Sequence, residues 1–172
     1  MSQRRSFLRL SILAPLWARF AFAQAPQPKS DPATFQITGD IPTPMTFGAE
    51  DMAKLPRQPV SVPEQDGTIV EYEGVPLAEL LSRAGAPLGG KLRGKALASY
   101  VLAKANDGYE VVFAFGELDA AFANEKILVA DKREEKALFG YQGPFRLVCP
   151  DDKAGARSVR MLQSLEVVRL QK

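Results

Sequence analysis

The sequence predicts an α+β fold of mixed, largely antiparallel sheets with short helices. Short apolar runs with alternating side chains, which are typical of strands, recur along the chain after residue 33. Short helical patterns lie between them without the regular strand-helix alternation of a doubly wound sheet. The 172 residues are 46% hydrophobic and 24% charged, as in a globular protein. We therefore expect one domain over residues 34–172.

Local patterns predict the elements in order. Helices are expected at residues 47–55, ended by Pro56, at residues 76–84, ended by Gly85, and at residues 117–123. The turns Gln65-Asp66-Gly67 and Asn106-Asp107-Gly108 each predict a hairpin. Residues 131–142 are expected to form a charged loop. The predicted strands cover residues 34–38, 60–62, 68–72, 98–104, 109–115, 126–130, 145–149 and 164–170.

Residues 1–25 carry the features of an export signal. Arg4 and Arg5 are followed by Phe-Leu and Arg9, ahead of an apolar stretch, which is the pattern of a twin-arginine signal. An ordinary secretory signal is the alternative, and Arg19 within the apolar part is atypical. The pattern predicts a periplasmic protein that is exported folded.

Cleavage is expected after Ala23 or Ala25, since small residues occupy both sites. The proline-rich residues 26–33 are then predicted to be a flexible lead-in. The apolar stretch falls well short of the roughly 20 residues that cross a bilayer, so no membrane span is expected.

The net charge and the residue content exclude several classes of function. Taking the four arginines of residues 1–25 from the 22 basic residues leaves 18 against 20 acidic residues, so nucleic acid is not an expected partner. The sequence has no histidine, which excludes a Ser-His-Asp triad and a histidine-liganded metal. The single cysteine, Cys149, excludes an intramolecular disulfide, and its apolar surroundings predict a buried small hydrophobe.

Four blocks occur in order along the chain. They are EGVPLAELL at residues 73–81, NDGY at 106–109, GPFRLVCP at 143–150 and ARSVR at 156–160. Together they resemble the oxidoreductase molybdopterin-binding domain of the sulfite oxidase family, over residues 44–170. The resemblance implies that domain's fold and a molybdopterin cofactor. It also implies a separate redox partner, because the sequence contains no Cys-x-x-Cys-His haem motif.

The resemblance also implies where the pterin phosphate binds. Residues 156–160 are similar to the family's basic segment, and the candidate ligands are Arg157, Ser158, Val159 and Arg160. Arg157 and Arg160 are three residues apart and could share one helical face. The alternative interpretation is a solvated basic turn.

Three further residues are candidates for cofactor binding. The family places the turn of Asp107 and Tyr109 near the cofactor, although a tight turn with glycine at positive φ explains the same residues. Arg146 alternates with Phe145 and Leu147, so we expect it to face solvent or a bound anion.

The sequence departs from the family pattern at the position of the metal ligand. Catalytic members of the family bind molybdenum through a cysteine about a dozen residues before the Gly-x-Pro-Leu block, and neither Val62 nor the adjacent Ser61 can replace a thiolate there. No catalytic residue and no protein metal ligand are therefore assigned. The chain is interpreted as a periplasmic molybdopterin-binding oxidoreductase-like protein. The alternative is a noncatalytic periplasmic binding module that kept the fold, lost the molybdenum-ligating cysteine and binds another small anionic ligand or a protein partner.

Overall fold

The computed structural model describes residues 33–64, 66–123 and 125–170. The predicted export signal, all of the lead-in except residue 33, and Gln65 of the first predicted turn lie outside these residues. Within the described ranges, no helix has the length and hydrophobicity needed to cross a membrane.

In the described ranges, ten strands form two sheets. In chain order they are β1 (Thr34–Gly39), β2 (Met45–Gly48), β3 (Gln58–Pro63), β4 (Ile69–Pro76), β5 (Ser99–Ala105), β6 (Glu110–Ala114), β7 (Leu128–Arg133), β8 (Lys136–Ala137), β9 (Arg146–Val148) and β10 (Leu162–Arg169). The first sheet has the order β2-β1-β10-β5-β6, in which β1 and β10 are parallel and the other pairs antiparallel. The second, fully antiparallel sheet has the order β3-β4-β7-β8, and β9 also pairs with β7.

The helices are short, as predicted. They are α1 (Ala49–Ala53), α2 (Leu77–Arg83) and α3 (Phe115–Leu118), with 3₁₀ turns at Gly89–Lys91, Gly94–Ala98, Gly140–Gln142 and Gly155–Arg157. Helix α2 ends before Gly85, whose φ of 83° is easily reached only without a side chain. Mixed sheets with few helices confirm the predicted α+β class.

The main core lies between the two sheets and α2. Both sheets supply alternate apolar side chains, and α2 supplies three leucines. A smaller cluster covers the other face of the second sheet, where Val70, Tyr72 and Val148 are buried. The backbones of β4 and β7 approach each other closely at Gly74. A Cβ at this position would collide with the backbone of Val129 and Ala130.

Four predicted elements were wrong in extent. The helix at residues 47–55 is shorter, because residues 45–48 pair with β1 as strand β2. Phe115 begins α3 instead of ending β6, and α3 stops at Leu118 instead of Ala123. The charged loop at residues 131–142 holds the end of β7, a tight turn and β8. In each case pairing with a distant strand or a turn outweighed the local pattern.

Candidate functional site

A groove of about 790 Å³ opens beside the second sheet, between the β3–β4 hairpin and the loop that follows β9. Four basic side chains line it: Arg133, Arg146, Lys153 and Arg160. Three acidic residues also line it: Asp152, which is paired with Arg157, Glu64, which lies 3.7 Å from Arg133, and Asp66. The volume is in the range of small-molecule sites, about 300–1,000 Å³. The groove therefore suits a small ligand with negative charge.

Arg146 is the buried cation of this groove. It lies on the face of β9 opposite Phe145 and Leu147, as predicted, and it is only 7% exposed. Of the two expected surroundings, solvent or a bound anion, its burial excludes solvent. Its Nη1 donates to the hydroxyl of Tyr72 at 2.7 Å and to the amide oxygen of Gln142 at 2.6 Å. Among the described residues its buried Nε has no partner.

Burial lowers the pKa of Arg146 below its ordinary value, because the charged form loses its hydration. The nearby cations Arg160 and Arg133 act in the same direction, whereas Tyr72 and Glu64 oppose it. A bound anion would offset both the lost hydration and the repulsion between the arginines. The charge of the cluster is therefore compatible with a bound anion.

The segment after the last 3₁₀ turn is extended, and this decides which predicted residues reach the groove. Ser158 and Arg160 lie on the groove side, whereas Val159 is fully buried in the main core. The carbonyl of Val159 accepts a hydrogen bond from the backbone N–H of Leu147 at 2.8 Å, which fixes the segment to β9. Met161 then has φ of 47°, a sharp reversal directly after Arg160.

Arg157 does not line this groove, and the predicted helical face shared with Arg160 is wrong because the backbone between them is extended. Its guanidinium binds three carboxylates instead: Asp152 through two bonds of 2.8 Å, Glu117 at 2.6 Å and Glu125 at 3.0 Å. It also lies over the ring of Phe113, 5.2 Å from the centroid. The hydrogen bonds with Arg157 lower the pKa of Asp152. Arg157 thus ties the groove's loop to α3, through Glu117, and to the segment after α3, through Glu125.

Asp107 and Tyr109 lie at the rim. With Ser158 and Arg160 they line a depression of about 250 Å³ that adjoins the groove. The predicted turn forms, since Gly108 has φ of 87° and the Asp107 carboxylate accepts the Tyr109 N–H at 3.0 Å. The hydroxyl of Tyr109 donates to the carbonyl of Ala156 at 2.8 Å. The structure therefore brings both residues beside Arg160.

Val62 and Cys149 both line the groove. Val62 is partly buried against the smaller cluster. Cys149 is buried, as predicted, and burial raises the pKa of its thiol to about 12. Its backbone N–H donates to the hydroxyl of Ser158 at 3.2 Å. In the described part of the chain, no group of three or more Cys, Asp or Glu residues is arranged to hold a metal ion.

The groove fits the two ends of a molybdopterin differently. The phosphate end fits, because the unpartnered Nε of Arg146 and the exposed guanidinium of Arg160 are donors suited to an oxyanion. Ser158 and the backbone of residues 154–156 line the same wall. The metal end meets the apolar Val62 where a thiolate is expected. Phosphate binding is therefore better supported than metal ligation by the protein.

Sequence reasoning missed several groove residues. Arg133 and Lys153 were overlooked because they lie in strongly charged stretches, where a basic residue carries little information. Tyr72 and Gln142, which hold Arg146, lie 74 and 4 residues from it in the sequence. Gln142 directly precedes the GPFRLVCP block, and this position in the sequence could have identified it as a candidate.

A solved structure with the same fold identifies the class of fold to which this chain belongs. The crystal structure of the sulfane dehydrogenase SoxCD from Paracoccus pantotrophus matches with a TM-score of 0.59 and 22% identity. The match covers 78% of this chain and 37% of that chain, so this chain spans well under half of its length. At this identity the likeness establishes the fold. Comparison with curated proteins gives no significant match.

The family follows from the sequence itself. The model of the oxidoreductase molybdopterin binding domain matches residues 60–172, about two thirds of the chain. This chain therefore belongs to the oxidoreductase molybdopterin-binding domain family, as its four sequence blocks predicted.

Proposed function

We propose that this protein is a periplasmic molybdopterin-binding oxidoreductase-like protein whose groove holds the phosphate end of the pterin. The observation that carries the proposal is Arg146, a buried guanidinium with an unpartnered Nε at a groove lined by three other basic side chains. Holding a cation there without an anionic ligand costs free energy, which a bound phosphate would recover.

The chain's own residues would hold and orient the cofactor. Arg146 would bind the phosphate from the buried wall and Arg160 from the mouth, while Ser158 and the neighbouring backbone add donors. A bound molybdopterin would supply redox chemistry at molybdenum, and a separate redox partner would exchange its electrons. The proposal leaves the substrate open.

Val62 supports a second candidate function. Without a thiolate at that position, the groove could serve a noncatalytic module that binds another small phosphate-bearing ligand. Both functions use the same basic residues, and they differ in whether molybdenum is present. A metal measurement therefore separates them.

The experiment uses the full chain, produced in a bacterium that makes molybdopterin and has a twin-arginine pathway, and purified from its periplasm. Molybdenum is measured by mass spectrometry, and pterin by fluorescence after oxidation. Molybdenum and pterin in equal amounts to protein support the oxidoreductase-like proposal. Phosphate binding without either supports the binding module. A protein that binds no pterin, no molybdenum and no inorganic phosphate contradicts both.

Two sets of variants sharpen this experiment. Arg146→Met and Arg160→Met should each lower the pterin content, whereas Arg83→Met, which removes an exposed arginine paired with Glu79, should not. For export, replacing Arg4 and Arg5 together by lysine should keep the protein out of the periplasm, and Arg9→Lys serves as the control. Unchanged export of the double variant would favour the ordinary secretory signal.

A further inference from the structure

Two large aromatic side chains remain exposed on the loop between β8 and β9. Phe139 is 82% exposed and Tyr141 is 66% exposed. They line a cavity of about 530 Å³, which shares Glu64, Arg133 and Arg160 with the basic groove. Exposed apolar groups that are gathered at a cavity mark a binding surface more often than scattered ones do. We call these two rings the aromatic shelf.

Arg160 connects the aromatic shelf to the basic groove. Its guanidinium lies over the ring of Tyr141, 5.4 Å from the centroid, and the same side chain lines both cavities. The shelf loop also reaches the buried cation, because Gln142 accepts the hydrogen bond from Arg146 at 2.6 Å. A phosphate between Arg146 and Arg160 would therefore lie beside the shelf.

We propose that the aromatic shelf stacks a planar nitrogen heterocycle, joined covalently to the phosphate that Arg146 and Arg160 bind. The ligand class is then a phosphate ester of a heterocycle, such as a purine nucleotide or a pterin phosphate. Every such ring has a π face that can stack on tyrosine, phenylalanine or an arginine guanidinium. The inference rests on the proposed function, because it assumes the phosphate in the groove.

The shape and charge of the surface favour a small ligand over a protein partner. The cavity has the volume of a small-molecule site, about 300–1,000 Å³. Its rim carries charged side chains of both signs, Glu64, Glu134, Arg133 and Lys136, which could hydrogen-bond the ring's edge. Two rings alone are far smaller than the roughly 800 Å² per partner of a standard protein interface.

Calorimetric titration tests the proposal on the full chain produced in a strain that makes no molybdopterin, so that the cofactor does not fill the groove. The four probes are inorganic phosphate, guanosine, guanosine monophosphate and neopterin monophosphate. At least one ester should bind about tenfold or more tightly than inorganic phosphate, which is the size of effect expected from one stacked base. The tighter of the two esters identifies the source of the heterocycle. Guanosine should bind weakly, because it lacks the phosphate.

Variants of the shelf separate stacking from phosphate binding. Tyr141→Ala and Phe139→Ala should remove most of the ester's advantage and leave the affinity for inorganic phosphate unchanged, while Tyr141→Phe should keep the advantage. Phe122→Ala, which removes an exposed ring away from these cavities, is the control. Both rings are solvent-exposed, so the variants should unfold at the same temperature as the unaltered protein.

Each other outcome overturns a defined part of the argument. If inorganic phosphate binds and neither ester binds more tightly, the shelf is not a stacking site, and the proposed function stands. If Tyr141→Ala weakens phosphate and ester equally, Tyr141 acts only by holding Arg160, and the stacking proposal fails. If no phosphate-bearing probe binds, both this inference and the proposed phosphate site fail.

Discussion

The guanidinium of Arg146 lies over the ring of Tyr72, 4.9 Å from its centroid, and donates a hydrogen bond to the hydroxyl of the same residue. Tyr72 in turn donates to the carboxylate of Glu64 at 3.1 Å. Glu64 is therefore joined to Arg146 by hydrogen bonds through the phenol, and its negative charge also acts on Arg146 through space. This arrangement keeps a cation inside the fold and leaves its Nε without a hydrogen-bond partner among the described residues.

Arg146→Met should separate stability from binding. Removing an uncompensated buried charge while keeping an apolar chain of similar length should leave the free energy of unfolding unchanged or raise it by about 1 kcal/mol. Binding of inorganic phosphate should be lost. Urea unfolding with and without phosphate measures both effects. A loss of more than about 2 kcal/mol without phosphate would mean that Arg146 mainly stabilises the fold.

Arg157→Met should show the opposite pattern. It leaves Asp152, Glu117 and Glu125 facing one another without their shared cation, while methionine preserves part of the packing on Phe113. The groups are partly exposed, so we expect a loss of about 1–2 kcal/mol in the free energy of unfolding.

Phosphate affinity should stay close to that of the unaltered protein in Arg157→Met, because Arg157 does not line the groove. Arg83→Met is the matched control and should cost no more than about 0.5 kcal/mol. A variant that unfolds normally but no longer binds phosphate would restore the assignment of Arg157 that the sequence suggested. Isothermal titration and urea unfolding on one preparation decide between the two.

The two arginines show what the sequence could predict. Alternation along residues 145–149 correctly put Arg146 on the face opposite Phe145, because that inference needs only the strand period. Its burial was not predictable, since Tyr72 comes from β4, 74 residues away. Likewise, Glu117 and Glu125 lie 40 and 32 residues from Arg157, and no local pattern joins them. The local geometry of each arginine was predictable from the sequence. The distant partners that the fold brings to each arginine were not.

Acid should destabilise the protein through its paired carboxylates. Hydrogen bonds with Arg57 lower the pKa of Glu73 from its ordinary value of 4.5, and those with Arg157 lower that of Asp152 from 3.8. The unfolded chain therefore binds more protons than the native one at low pH, so stability is lost as pH falls below about 5.

Asp152→Asn tests the sign of this effect. The variant should be less stable than the unaltered protein at pH 7, and the difference should shrink as pH falls, because the native advantage of the ionised Asp152 disappears. Thermal unfolding at pH values from about 7 down to about 3 measures the difference. Glu50→Gln, at an exposed position in α1, is the control. A difference that stays constant with pH would mean that the Asp152 carboxylate has no lowered pKa.

Val62→Cys tests whether the expected metal end of the site opens onto the same groove. The new thiol lines the groove on an edge strand, whereas Cys149 is buried and its pKa is raised to about 12. A disulfide reagent at neutral pH should therefore label one thiol in native Val62→Cys and none in the unaltered protein. Saturating guanosine monophosphate or pyrophosphate should slow labelling at residue 62.

Val112→Cys, on the exposed edge strand β6, is the control and should label at the same rate with or without the ligand. Labelling of Val62→Cys that no phosphate-bearing ligand slows would show that the phosphate groove and the position of the missing thiolate are separate.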